Sequence, residues 1–173
     1  SNGVGYFGGL SIFKGYHLLL KAWAKIYKHY PSFRLYMTKC YKLPSTFFKI
    51  NVVPLRRLSI EEFRNLYKVL RAVVVPSLWS EPWGYVGVEA LLSGRILVAS
   101  NIGGIMEMTL SLKGVRLVQP GNVDELIDAL NWVLSLDYKD LIELGLSNRE
   151  KLLQRFDSTE SSKILVKILE SFK

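Results

Sequence analysis

Two carboxylates, Glu81 and Glu89, stand eight positions apart in the run Pro76 to Glu107, PSLWSEPWGYVGVEALLSGRILVASNIGGIME. Trp83, Gly84, Tyr85 and Gly87 lie between them. A carboxylate pair first suggests acid–base chemistry, but the setting argues for something else. An apolar stretch (Ala72 to Pro76) feeds a polar loop, then a helix-like segment near Gly84, then a second apolar stretch (Ile96 to Ala99) and a glycine turn. A helix starting near Gly84 aims free N–H groups and the positive end of its dipole at the loop. Gly84 and Gly87 carry no side chain to obstruct a diphosphate. Eight positions along a helix span about 12 Å, comparable to a nucleotide sugar from ribose to hexose. One carboxylate can therefore accept from ribose hydroxyls and the other from sugar hydroxyls, with the diphosphate on the helix end between them. For an arbitrary pair at this spacing the plainer reading, two ordinary surface glutamates, would prevail. The strand–loop–glycine–helix order favours the site.

The rest of the chain supplies a frame. Strands are expected at Val4–Phe7, Phe33–Met37, Ile50–Val53, Ala72–Val75, Ile96–Ala99 and Val115–Val118. The run Ala-Val-Val-Val at 72–75 suits a strand buried on both faces of a parallel sheet. A helical period over 15–29 places Leu18, Leu19, Ala22, Trp23 and Ile26 on one face and Lys21, Lys25 and Lys28 on the other. Residues 39–49 read as a loop with a short turn after Pro44. Ser59 with Glu62 forms a capping box that opens a helix to about Leu70. Further helices are expected at 84–92, briefly near Gly104, at 122–134 behind Asn122 and Glu125, at 138–153, and from Asp157 with Glu160 to the end. Alternating β and α elements give an α/β class: a single Rossmann-like domain with a doubly wound, mostly parallel six-stranded sheet and a helical tail. In such sheets ligands sit beyond the carboxyl ends of the strands. Three of those ends draw attention: Gly8-Gly9 to Lys14-Gly15, Pro76 to Gly84, and Asn101 to Glu107.

Composition bounds the answer. With 173 residues, 49% apolar and 22% charged, the chain is long enough for one domain with a real core. A single cysteine, Cys40, excludes an internal disulfide and a cysteine metal site. No apolar run reaches about 18 residues, so no spanning helix is expected, and the single cysteine fits a reducing, cytoplasmic setting. The chain opens abruptly on a strand-like run with no signal peptide, so an upstream part is expected to be missing. The net charge of +8 is uneven: residues 1–75 hold 13 Lys/Arg against Glu61 and Glu62 alone, and residues 76–173 hold 10 against 13 Asp/Glu. Such a basic half suits phosphates, peripheral contact with an anionic membrane, or nucleic acid. Solvated helix faces explain much of it, and periodicity accounts for most aromatics between Lys21 and Lys49, so no nucleic-acid partner is expected.

The Pro76–Glu107 string resembles the donor-site signature of the family-4 retaining glycosyltransferases, which have the GT-B fold: Pro-Ser, a Glu-x7-Glu pair, an aromatic-Gly after the first Glu, Glu-Ala in the helix, and a Gly-Gly loop ending in Glu. Tyr6 to Gly15 (YFGGLSIFKG) looks like that family's first strand and Lys-Gly turn. Pro31 to Met37, Leu117 to Leu130 and Phe156 look like later pieces in the same order. The resemblance implies that Glu89 holds the ribose and that Glu81 contacts the transferred sugar. Backbone amides of Trp83, Gly84, Tyr85 and Val86 would surround sugar and diphosphate, and Lys14 would bind the diphosphate behind the turn at Gly8 and Gly9. Glu81 and Lys14 are then the catalytic candidates, because negative charge grows on the leaving diphosphate. No metal and no cofactor beyond the nucleotide diphosphate sugar itself is implied. The acceptor sugar or lipid would be held by an N-terminal domain or partner chain, since residues 1–173 match only the donor-binding half.

Two departures stand out. The family usually has Phe-x-Gly-Arg-Leu at the first turn, with an arginine on the diphosphate, where this chain has Gly9; Arg56, Arg57 or another group would have to compensate. The usual glycine-rich turn after the second strand is here Thr38-Lys39-Cys40-Tyr41. Two alternatives stay open: a non-catalytic nucleotide-sugar-binding subunit, and another GT-B enzyme such as a sugar-nucleotide epimerase. Other signals count for little. Gly3-Val-Gly-Tyr-Phe-Gly8 fits G-x-G-x-x-G but precedes and enters a strand instead of opening a helix. His17 and His29 read as helix residues and Cys40 as an inert thiol. Trp23, Trp79 and Trp132 read as packing, with Trp83 balanced between packing and ligand contact.

Overall fold

Residues 2–40, 43–156 and 158–171 are described by the computed structural model. Six strands, β1 (Gly3–Tyr6), β2 (Arg34–Thr38), β3 (Val52–Leu55), β4 (Leu70–Val75), β5 (Ile96–Ser100) and β6 (Val115–Val118), form one sheet in the order β3-β2-β1-β4-β5-β6. Every pairing is parallel. The sheet is therefore wholly parallel where the sequence predicts mostly parallel. The chain winds outward from β1 to β3, returns to the centre at β4, and winds outward the other way to β6. The β1–β4 junction is the switch point, where a doubly wound sheet opens its crevice.

Alternation on the central strands explains why they read as unbroken apolar runs. Ala72 and Val74 of β4, with Ile96 and Val98 of β5, pack into one core with α1 (Tyr16–Ile26) and α5 (Val123–Ser135). Val73, Val75, Leu97 and Ala99 pack into the other, with α2 (Ile60–Val69), α3 (Tyr85–Leu92), α4 (Gly104–Met108) and α6 (Tyr138–Arg155). Trp23 is fully buried, its indole N–H satisfied by the Ile50 carbonyl at 2.7 Å. The final helix, α7 (Ser158–Glu170), leaves Ile164, Leu165, Ile168 and Leu169 exposed.

The local signals for helix starts hold. Ser59 and Glu62 make a reciprocal capping box on α2, and Asn122 accepts from the Asp124 and Glu125 amides of α5, both at 3.1 Å. The expected Asp157–Glu160 cap on α7 lies outside the described residues. Several boundaries shift. The helix expected over 15–29 stays α-helical only to Ile26 and tightens into a 3-10 turn, Tyr27–His29. Residues 45–50, expected as loop and strand start, are 3-10 helix, closed by Asn51 in the left-handed region (φ 60°), which delays β3 to Val52. Strand β4 starts at Leu70, earlier than Ala72, because buried Arg71 reaches the Val133, Leu134 and Leu136 carbonyls at the end of α5. Along the edge strand β3, the carbonyls of Asn51, just before it, and Leu55 accept from the Leu35 amide of β2 and the Lys39 amide just after β2, so the alternate residue Pro54 directs its nitrogen away from the sheet.

Candidate functional site

The site lies at the carboxyl ends of β1 and β4. After β1, the buried Tyr6 hydroxyl donates to the Gly9 carbonyl at 2.8 Å and approaches the Lys14 carbonyl at 3.3 Å, tying the loop back on its own strand. Burial, with the nearby Tyr16 and Glu81, holds that phenol well above its ordinary pKa, so it stays a donor. The loop tightens into one 3-10 turn, Ile12–Lys14, capped by Gly15 at φ 71°. A Cβ on Gly15 would stand 1.8 Å from the Pro76 carbonyl oxygen. The Leu78 amide donates to the Phe13 carbonyl at 2.8 Å. The loop after β1 and the loop after β4 are thereby pressed together.

That contact brings Lys14 to Glu81. The ammonium lies 2.9 Å from Glu81 Oε1, and the buried Ser77 hydroxyl donates to the same oxygen at 2.7 Å. The Glu81 side chain is only 18% exposed, which shields the pair from solvent. A cavity of about 140 Å³ lined by Tyr6, Gly8, Lys14, Ser77, Glu81 and Val86 sits over the switch point.

Helix α3 begins beside it. Gly84, left-handed at φ 72°, is its N-cap, and the first amide bonded inside the helix is that of Gly87, to the Gly84 carbonyl at 2.8 Å. The Tyr85 and Val86 amides belong to the unbonded first turn, which favours an anion. Glu89 is the fifth residue of α3. It lines a second cavity of about 640 Å³ together with Phe7, Lys39, Arg56, Arg57 and Val86. Phe7 and Val86 also line the first cavity, so the two adjoin. Partial desolvation in this cleft pushes the Glu89 carboxyl above its ordinary pKa. A third cavity of about 600 Å³ opens on the other side of Glu89, lined by Arg64, Tyr67, Lys68 and Arg95.

The structure thus gathers Gly8, Lys14, Glu81 and Val86 around one cavity and Arg57, Val86 and Glu89 around the next, while Gly9 lines neither and lies under the Lys39 side chain. Tyr85 is exposed at the helix start. The Trp83 ring packs edge-on against Phe156 at 4.8 Å, which leaves its backbone as the part turned to the loop. The Gly103-Gly104 turn packs against the loop after β4. Its Gly104 amide donates to the Glu81 carbonyl at 2.9 Å, and a Cβ on Gly104 would meet the Pro82 carbonyl oxygen at 2.0 Å. It is a ledge under the Glu81–Trp83 backbone. Among the described residues, no group of three or more His, Cys, Asp or Glu side chains could hold a metal ion. Cys40 is buried, with burial raising its thiol pKa and its Sγ on the Met37 carbonyl. Sequence reasoning passed over Tyr6, Ser77 and Lys39 as site residues. Ser77 sits inside the Pro-Ser pair and is the one a local signal could have found.

Comparison with known proteins gives one family. The model of the family described as glycosyl transferases group 1 matches residues 2–150. An uncharacterized glycosyltransferase of Methanocaldococcus jannaschii, MJ1607, is 31% identical over 140 residues, covering 75% of this chain and 35% of its own length. The crystal structure of HepE from Anabaena in complex with UDP superposes with a TM-score of 0.80 at 25% identity, covering 99% of this chain and 49% of that one. The C-terminal domain of the group 1 glycosyl transferase LpcC from Francisella tularensis shares the fold, with a TM-score of 0.74 at 20% identity, over 89% of this chain and 85% of that one. The chain therefore spans about a third to a half of the full-length proteins it matches.

Proposed function

Because the chain belongs to the group 1 glycosyl transferases, we propose that it is the donor-binding domain of a retaining glycosyltransferase of the GT-B type. It binds a nucleotide diphosphate sugar and presents the sugar to an acceptor hydroxyl held by a second, N-terminal domain or a partner chain. The observation that carries this reading is the Lys14–Glu81 pair at the β1–β4 switch point, beside the free amides of α3, with Glu89 in the adjoining cavity. Glu89 accepts from the ribose hydroxyls, the first turn of α3 takes the diphosphate, and Glu81 orients the transferred sugar. As the bond from the sugar to the diphosphate breaks, its electron pair leaves on a phosphate oxygen. Lys14 stabilises that growing charge. HepE, a structural neighbour crystallised with UDP, makes UDP the first probe.

Titration calorimetry with UDP, GDP and ADP tests the donor site: a folded sample that binds none of them at millimolar concentration sinks it. Gly9 at the turn, where a diphosphate-binding arginine would be expected, favours a second reading, a non-catalytic binding subunit. Supplying an N-terminal half separates the two, since sugar transfer that depends on Glu81 belongs only to the enzyme. The outward lysines Lys21 and Lys25 on α1 and Lys28 in the 3-10 turn after it suit peripheral contact with an anionic membrane, and co-sedimentation with phosphatidylserine vesicles against neutral ones tests that contact.

A further inference from the structure

A diphosphate brings two or more negative charges, and the cations in the cleft are not equally free to meet them. Lys14 is neutralised by Glu81, and Arg56 by Glu62. Among the described residues, Lys39 and Arg57 have no ion-pair partner, and both line the cavity that holds Glu89. The sheet order fixes where each one stands. Arg57 follows β3, Lys39 follows β2, and Lys14 follows β1, so across the strand ends Lys39 lies between the other two. A ligand running from Glu89 toward Glu81 passes Lys39 before it reaches Lys14.

The backbone at Lys39 is unusual. It adopts φ 56°, in the left-handed region that a lysine seldom enters, and its amide donates to the Leu55 carbonyl at 3.4 Å. That turn carries the side chain over Gly9: the Lys39 Cδ lies 3.5 Å, and its Cβ 3.8 Å, from where a Cβ on Gly9 would be. Gly9 is itself left-handed at φ 67°, with its carbonyl fixed by Tyr6. The aliphatic stem of Lys39 thus rests on the bare glycine, and the exposed residue lines the cavity that holds Glu89, next to the one that holds Lys14. We propose that Lys39 is a second diphosphate-binding cation, reaching from the end of β2 the space that a side chain at position 9 would otherwise fill. The inference rests on the donor-site reading above, and adds to it a binding residue from a different strand.

Calorimetry of the chain with UDP, UMP and uridine, for the parent, Lys39→Gln and Lys39→Arg, tests it. A charged hydrogen bond removed from the diphosphate weakens UDP binding by about tenfold or more. Lys39→Gln is expected to show that loss for UDP, a smaller loss for UMP and less than a twofold change for uridine. Lys39→Arg is expected to keep most of the UDP affinity. With increasing salt, the parent's UDP affinity should fall more steeply than that of Lys39→Gln. Equal UDP binding by folded Lys39→Gln overturns the role of Lys39 and leaves the donor site standing. An equal loss for UDP and uridine overturns it too, by marking a structural effect. A parent that binds none of UDP, GDP and ADP overturns both.

Discussion

Glu81 serves two partners, the Lys14 ammonium and the Ser77 hydroxyl, both on Oε1. Removing its charge while keeping its shape frees Lys14 for an incoming phosphate. Glu81→Gln should therefore bind UDP at least as tightly as the parent in calorimetry, whereas Lys14→Ala should bind it about tenfold or more weakly. Glu89 carries the opposite balance. Its carboxyl is raised by desolvation, so the folded chain holds a proton there at pH values where the unfolded chain has released it. Stability then falls as pH rises from the unfolded pKa through the folded one, and the penalty persists at neutral pH. Glu89→Gln should melt above the parent at pH 7, with the gap closing as pH drops below the carboxylate range, and should lose nucleotide affinity. Thermal unfolding across pH, paired with UDP titration, checks both halves. The glutamate pair was legible in sequence because its spacing is local. Lys39 was not, because its place over Gly9 depends on a left-handed backbone and on β2 lying next to β1.

The elements that carry these residues are fitted to one another through glycines of different kinds. Gly15 lacks both a permitted φ for other residues and the space for a Cβ, with the Pro76 carbonyl 1.8 Å from that position. Gly121 has only the first constraint, at φ 85° with Leu78 Cδ2 at 3.8 Å. Gly121→Ala should cost about 1–2 kcal/mol, the left-handed term alone, whereas Gly15→Ala should cost more than that and weaken UDP binding by shifting Lys14. Urea midpoints at unchanged m-value distinguish them. Strands and helix starts followed from local pattern: the Ala72–Val75 run, Ser59 with Glu62, Asn122 with Glu125. What escaped was set at long range. Arg71 belongs to β4 because three carbonyls of α5 and its exit receive it, and the Gly103-Gly104 turn packs against the Glu81–Trp83 backbone. Neither partner is near in sequence.

Over the whole molecule, the uneven charge of the sequence becomes a polarity across the cleft. The basic first half supplies Lys14, Lys39, Arg56 and Arg57 from the β1–β3 side; the second half supplies Glu81, Glu89 and the amides of α3. A ligand spanning the two links them thermodynamically. UDP at about 100 times its dissociation constant should add about 2.7 kcal/mol of stability, a rise in melting temperature of about 5–10 °C for a chain of this size; no rise at saturating UDP would contradict the site. Within the described residues, no helix is long and apolar enough to cross a membrane.

The open side of β3 has a consequence of another kind. Among the described residues no strand pairs with that side, and such an edge is a template on which a strand from a second copy can add. Pro54 sits exposed at the middle of that edge with its nitrogen turned outward, so it costs no bond to β2 yet denies an incoming strand one donor. The proline is a guard on colloidal behaviour: Pro54→Val should leave the fold and nucleotide affinity intact while lowering the concentration at which light scattering reports self-association.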